Sequence, residues 1–204
     1  LRGDARSHSD APLTSLMSSD SLTNQLGRVL LAVRATGRAI LPNAGDELLQ
    51  TIVETAARLF GAAASSMALV DEQHQELVFR VAYGAGQDEV IGMRIPVNKG
   101  IAGYVASTGQ PIAVSDVQQD PRFARATAEQ TGYVPRSILA MPLLIEDHVI
   151  GVMEVLDKID APAFGLEDMD LLGLFARQAA IAIHQSQQIE HLEEVLLASL
   201  SQVA

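Results

Sequence analysis

The hydrophobic spacing of this chain changes twice, and that change constrains its fold more than any other feature. Up to Phe60 the apolar residues recur at steps of three and four, from Ser66 to Leu156 they recur in blocks at every second position, and from Leu166 onward steps of three and four return. The first and last spacings are those of helices with one apolar face, and the middle one is that of strands with one buried face.

Residues 1–20 mix Ser, Asp, Arg, His and Pro without a period, so a flexible tail or linker is expected there. Over residues 21–42, Leu22, Leu26, Val29, Val33, Thr36 and Ile40 mark one seam of a connecting helix, capped by Asp20 or Ser21 and ended by Pro42. A second helix runs from about Asp46 to Phe60, with Leu48, Leu49, Ile52, Val53, Ala56, Leu59 and Phe60 as its apolar stripe and Gly61 as its stop. Strands follow at Ser66–Asp71 and Leu77–Tyr83, joined by a turn, with Leu77, Phe79, Val81 and Tyr83 expected on one face. Further strands fall at Met93–Val97, Ile112–Ser115, Ile138–Ile145 and Val149–Leu156. The stretch Asn98–Gly109 holds a short helix, and Val117–Arg136 is a long polar connection of the kind that covers a ligand.

A last helix runs from Leu166 past Leu200, about 50 Å at 1.5 Å per residue. Phe175, Ala182, Ile189, Leu196 and Val203 recur every seven residues with Leu192 between, so residues 187–204 read as a modest coiled coil, which Gln178, Gln185 and Ser199 weaken.

The chain of 204 residues contains no Cys, which excludes disulfides, thiolate metal sites, a cysteine nucleophile and a thioether-linked chromophore, and agrees with a cytoplasmic setting. Its net charge of -11 disfavours nucleic acid and anionic lipid as partners. No window has 18 uninterrupted apolar residues, and the start Leu1-Arg2-Gly3-Asp4 is neither a signal peptide nor an initiating Met, as expected of an excised or processed piece.

Several residue groups invite a chemical reading. Gly100 and Gly103 sit at the start of the short helix, where free N–H groups meet an anion or a carbonyl, or where two backbones simply pack closely. Glu154 shares a strand face with Ile150, Val152 and Leu156, so its carboxylate needs either a cation or backbone donor at the sheet margin or a ligand. The five His residues lack metal-ligand spacing, and no nucleophile elbow or phosphate loop occurs. Glu167, Asp168 and Asp170 fit the positive end of the last helix better than a magnesium site.

The words Ile95-Pro96, Gly100-Ile101-Ala102-Gly103, Thr108-Gly109-Gln110-Pro111, Asp116, Asp120-Pro121-Arg122-Phe123, Ser137-Ile138-Leu139, Met141-Pro142-Leu143 and Val149 to Leu156, in this order, resemble the GAF domain family. That resemblance covers about residues 46–186 and implies a GAF (PAS-like) domain over residues 43–186, α+β in class. It implies a central antiparallel sheet with helices on one face, a pocket on the other, and long N- and C-terminal dimerisation helices. Within the family the chain looks most like cyclic-nucleotide-type domains of phosphodiesterases and cyclases, whose five-residue mark falls here on Asp157, Lys158, Phe164, Asp168 and Met169, with the Asn and the final Glu replaced. The resemblance implies a structural salt bridge between Lys158 and Asp168, and ligand contacts at Ser66, Ile101, Ala102, Thr131 and Glu154. Four further contact positions of that subfamily carry Ala82, Ala124, Ala128 and Pro135 here. A PAS domain and the ligand-binding half of a transcriptional repressor are the fold-level rivals.

Two functions stay open on this reading. One is a non-catalytic small-molecule sensor in a larger signalling protein (a histidine kinase of a two-component system, a cyclase, a phosphodiesterase or a transcriptional activator), whose ligand is a cyclic nucleotide or another small molecule and not a covalent bilin. The other is a dimerisation and relay module with a vestigial pocket. Both expect a cytoplasmic homodimer through the end helices, a downstream effector domain, and no contact with nucleic acid or membrane.

Overall fold

The computed structural model describes residues 44–201, so the flexible tail and connecting helix expected over residues 1–42 lie outside the described residues, as does Val203. The order of elements is α1 (Ala44–Leu59), β1 (Ala62–Asp71), β2 (Glu76–Gly84), α2 (Gln87–Val90), β3 (Arg94–Pro96), α3 (Gly100–Thr108), β4 (Ile112–Val114), a 3-10 turn (Val117–Gln119), α4 (Arg125–Gln130), β5 (Ile138–Ile145), β6 (His148–Lys158) and α5 (Leu166–Ser201). The strands form one six-stranded antiparallel sheet in the order β3-β2-β1-β6-β5-β4. The α+β class expected from the sequence is what the chain adopts.

Two cores lie on opposite faces of the sheet. On one, α1 and α5 bring Leu49, Val53, Phe60, Leu172, Ala176 and Ile183 against Met67, Leu139, Leu143, Met153 and Val155. Burial of such side chains contributes roughly 1.5–3 kcal/mol each, so this face anchors the domain. Of the stripe read in α1, Leu48 and Leu59 end up exposed, because only about half the circumference of the helix meets the sheet. On the other face, α3 and the neighbouring loops pack Ile101, Val105 and Val117 against Ala68, Leu77, Phe79, Ile138 and Val152. The short helices α2, α3 and α4 thus share the pocket face, where the sequence had suggested a pocket alone.

Alternation breaks at two bulges, and this corrects two expectations. In β2 the partner of Met67 is Val81 while the partner of Ala68 is Phe79, leaving Arg80 as an extra residue. Leu77 and Phe79 therefore join the pocket-face core while Val81 and Tyr83 join the α1/α5 face, so the four do not share a side. In β6 the partners of Leu143 and Leu144 are Gly151 and Val149, which leaves Ile150 as the extra residue. Ile150 packs with the α1/α5 core, away from Val152, Glu154 and Leu156. A single inserted residue exchanges the faces of everything beyond it.

Helix α5 is continuous over 36 residues. Its proximal half is held by the domain, with Phe175 packed edge-on against Phe60 at 6.2 Å between ring centroids. Farther along, Ile189, Leu192, Val195 and Leu196 are exposed.

Candidate functional site: a cavity around a buried glutamate

Between the sheet and α2, α3 and α4 lies a cavity of about 740 Å³, its open mouth included. All five residues read from the sequence as ligand contacts line it: Ser66 on β1, Ile101 and Ala102 on α3, Thr131 after α4, and Glu154 on β6.

Glu154 is placed by pairing. It stands opposite Ser66 across the β1–β6 ladder and opposite Ala140 across the β5–β6 ladder, in the middle of the sheet rather than at its margin. The residue is 7% exposed. The Ser66 hydroxyl donates to Glu154 Oε2 at 3.4 Å, and the Ser65 hydroxyl donates to the Glu154 carbonyl at 2.9 Å. Burial pushes the Glu154 carboxyl up to about 7, with the Ser66 hydrogen bond opposing it weakly. The marginal cation or backbone donor expected from the sequence is replaced, among the described residues, by this one long bond from a serine.

Helix α3 presents its first turn to the cavity through Gly100, Ile101 and Ala102. Lys99 caps it without a side-chain bond, so the first N–H groups have no partner from the helix itself. Gly100 has φ +76, open to glycine at little cost, and a Cβ on Gly103 would lie 2.9 Å from the Asn98 carbonyl carbon. Close backbone packing, one of the two readings of this pair, holds for Gly103.

The long connection forms a structured cover. Asp116 caps its 3-10 turn by accepting from Gln118 N–H at 3.2 Å, and the Val117 N–H donates to the Arg136 carbonyl at 2.8 Å, closing the base of the loop. Arg122 donates to Asp120 at 2.5 and 2.8 Å and stacks over Tyr104 at 4.6 Å, and its hydrogen bonds hold the Asp120 carboxyl below its usual value. Thr131 Oγ1 sits 2.8 Å from the Ala128 carbonyl, so its proton is used inside the cover. Ala82, Ala124, Ala128 and Pro135 also line the cavity, making its walls small and apolar.

Asp157 is the residue whose role the sequence did not reveal. One carboxylate oxygen accepts the N–H groups of Arg136 and Ser137, each at 2.8 Å, and the other accepts the Tyr133 hydroxyl. Burial, then Asp157, raises the Tyr133 phenol above its ordinary value. Asp157 has φ +52, a conformation that Asp and Asn tolerate better than most residues, and it stands where the five-residue mark carries Asn.

Next to it, Lys158 Nζ donates to both oxygens of Asp168, at 2.8 and 2.6 Å, and Asp168 accepts the Gly165 N–H at 2.8 Å. Desolvation pushes the Asp168 carboxyl up, but the Lys158 and Gly165 bonds outweigh it and the net shift is downward. The bond to Gly165 is half of a capping box at the first turn of α5. None of the described histidines lines the cavity: His74 pairs with Asp71 and His148 with Glu72, each at 2.8 Å, while His184 meets Gln188 at 3.0 Å. Among the described residues no group of three or more His, Asp or Glu side chains could hold a metal ion.

The model of the GAF domain matches residues 45–183, well over half of the chain. The chain belongs to the GAF domain family. The fold agrees: a GAF domain from a phosphoenolpyruvate-protein phosphotransferase of Coxiella burnetii superposes with a TM-score of 0.66 at 18% identity, covering 87% of this chain and 99% of that one. A free methionine-R-sulfoxide reductase from Neisseria meningitidis, solved with its substrate, gives 0.61 at 21% identity over 91% and 98% of the two chains. In sequence, this GAF domain is 33% identical over 150 residues to a probable 3',5'-cyclic phosphodiesterase, pde-5, of Caenorhabditis elegans, covering 69% of this chain and 20% of that protein. It is 34% identical over 88 residues to the cone cGMP-specific 3',5'-cyclic phosphodiesterase subunit alpha' of Mus musculus, covering 43% and 10%. The chain therefore spans a fifth or less of these two relatives. GAF domains occur in signalling proteins such as phosphodiesterases, and a regulatory role fits this one.

Proposed function

We propose that this GAF domain is the non-catalytic, small-molecule-sensing part of a larger cytoplasmic signalling protein, and that ligand state leaves it through end helices paired in a homodimer. The observation that carries the reading is Glu154, a carboxylate buried in the wall of a cavity with one 3.4 Å hydrogen bond to satisfy it. A buried acid so poorly partnered is expensive to keep and points to a ligand that completes it.

The relay rests on adjacent residues. Asp157 holds the C-terminal end of the cavity cover, and Lys158 holds the first turn of α5. A ligand that repositions the cover pulls on one and, one peptide further, on the other. The exposed Ile189, Leu192, Val195 and Leu196 supply the apolar surface for a second copy. The absence of any Cys, which removes a cysteine nucleophile, favours a regulatory over a catalytic role. The effector is a phosphodiesterase, cyclase, histidine kinase or transcriptional activator, and with a charge of -11 neither nucleic acid nor membrane is a partner. No described helix is long and apolar enough to cross a membrane.

Native mass spectrometry of the purified chain, with thermal shifts across cyclic nucleotides, amino acids and organic acids and bases, tests this. A retained small molecule or a ligand-dependent rise in melting temperature is expected; a folded dimer that binds nothing would leave the relay module with a vestigial pocket. Ala82, Ala124, Ala128 and Pro135 in the cavity wall favour that second reading.

A further inference from the structure

The chemistry of the cavity wall says what class of ligand suits it, an inference that rests on the sensing role proposed above. Around Glu154 the neighbouring strands contribute Ser66 and Ile138, α3 contributes Ile101 and Ala102, and the cover contributes Ala128 and Thr131. None of these six carries a charge. Of all the described side chains lining the cavity only Glu154 and Tyr133 titrate, and the Tyr133 hydroxyl is spent on Asp157. No Arg, Lys or His is among the described residues lining the cavity, and in its cover Arg122 is held by Asp120 and Tyr104 and Arg125 by Gln118. An anionic ligand would thus find no side-chain cation to neutralise it and would be repelled by Glu154 whenever that carboxyl ionises, while a cation would favour the ionised carboxylate and gain a charge-assisted hydrogen bond.

We propose that the cavity takes a small, phosphate-free organic amine, its apolar body against Phe79, Ala82, Ala102 and Ala128 and its N–H donors on Glu154. The Ser66 hydroxyl steadies the carboxylate from the opposite strand, and burial of the apolar body against alanines and Phe79 provides most of the affinity.

Isothermal titration of the full 204-residue chain with 2-phenylethylamine, 2-phenylethanol, 3-phenylpropionate and cyclic GMP tests this. The amine is expected to bind at least about tenfold tighter than the alcohol, and tighter still than the two anions. Glu154→Gln should bring amine and alcohol within about twofold of each other, and Ala128→Phe should abolish binding of both while the chain stays folded. The assignment is overturned if either anion binds more tightly than the amine, if the amine preference survives Glu154→Gln, or if none of the four probes binds at about 1 mM. Native mass spectrometry separates the two levels of the argument: a retained anionic metabolite overturns the amine and keeps the sensor, whereas an empty, folded protein unresponsive to all probes removes both.

Discussion

Replacing Glu154 by Gln should make the domain more stable at alkaline pH and leave it nearly unchanged in acid. The wild-type carboxyl titrates near 7 in the folded protein against an ordinary value of 4.5. Between those values the native state holds a proton that the unfolded chain has released, so stability falls as pH rises through that window and the loss is complete above about 7. At about 1.36 kcal/mol per pH unit, the displacement corresponds to about 3 kcal/mol. Gln keeps the shape and can accept the Ser66 hydroxyl but carries no charge, so the variant escapes the loss. Urea unfolding of both chains at pH values from about 5 to 8 should give curves that coincide at the acid end and separate by about 2–3 kcal/mol at the alkaline end. In melting temperature that is on the order of 5–10 °C. The other shifted carboxylates, Asp71, Asp120 and Asp168, are common to both proteins and cancel in the difference. Parallel curves would show that Glu154 ionises as freely in the fold as out of it, and the argument for an unsatisfied acid would be refuted.

Gly103→Ala should lose roughly 1–3 kcal/mol in denaturant unfolding, because its Cβ would sit 2.9 Å from the backbone of Asn98. Asp157→Ala, which releases the Arg136 and Ser137 N–H groups and the Tyr133 hydroxyl together, should raise hydrogen exchange across residues 117–136 well before exchange in β1 or β6 changes. Lys158→Met should lower stability at neutral pH by about 1–2 kcal/mol. Because the Asp168 carboxyl is held below its usual value, that part of the stability is present above its unfolded value and lost as pH falls through the folded one, so the acid limb of a pH–stability curve should become shallower in the variant.

Much of this fold was legible because its strands are rich in β-branched and other apolar residues and are set off by turns. The run Ile138–Ile145 has the bounds read from the sequence, and α5 begins at Leu166 as expected. The start of β1 was four residues early of the reading, since Ala62-Ala63-Ala64 carries no β-branched or aromatic side chain to signal a strand. The four-residue helix α2 is too short to show a period at all. Glu154 stood out because an acid interrupting an apolar alternation is conspicuous. Asp157 did not, because its three partners lie 20 to 24 residues away and nothing local announces them.

The two bulges have a further meaning for how the cavity came to be hollow. With Arg80 set aside as a surplus residue, Ala82 turns toward the cavity and Val81 and Tyr83 turn toward α1 and α5. Were β2 to run straight, with Arg80 taking an ordinary partner, Val81 and Tyr83 would swing into that space and fill it. The void is thus written in the frame of the strand as much as in the size of its side chains. Losing Arg80 outright would keep Leu77, Phe79 and Ala82 on the cavity side, whereas straightening the strand around it would close the chamber without altering a single amino acid.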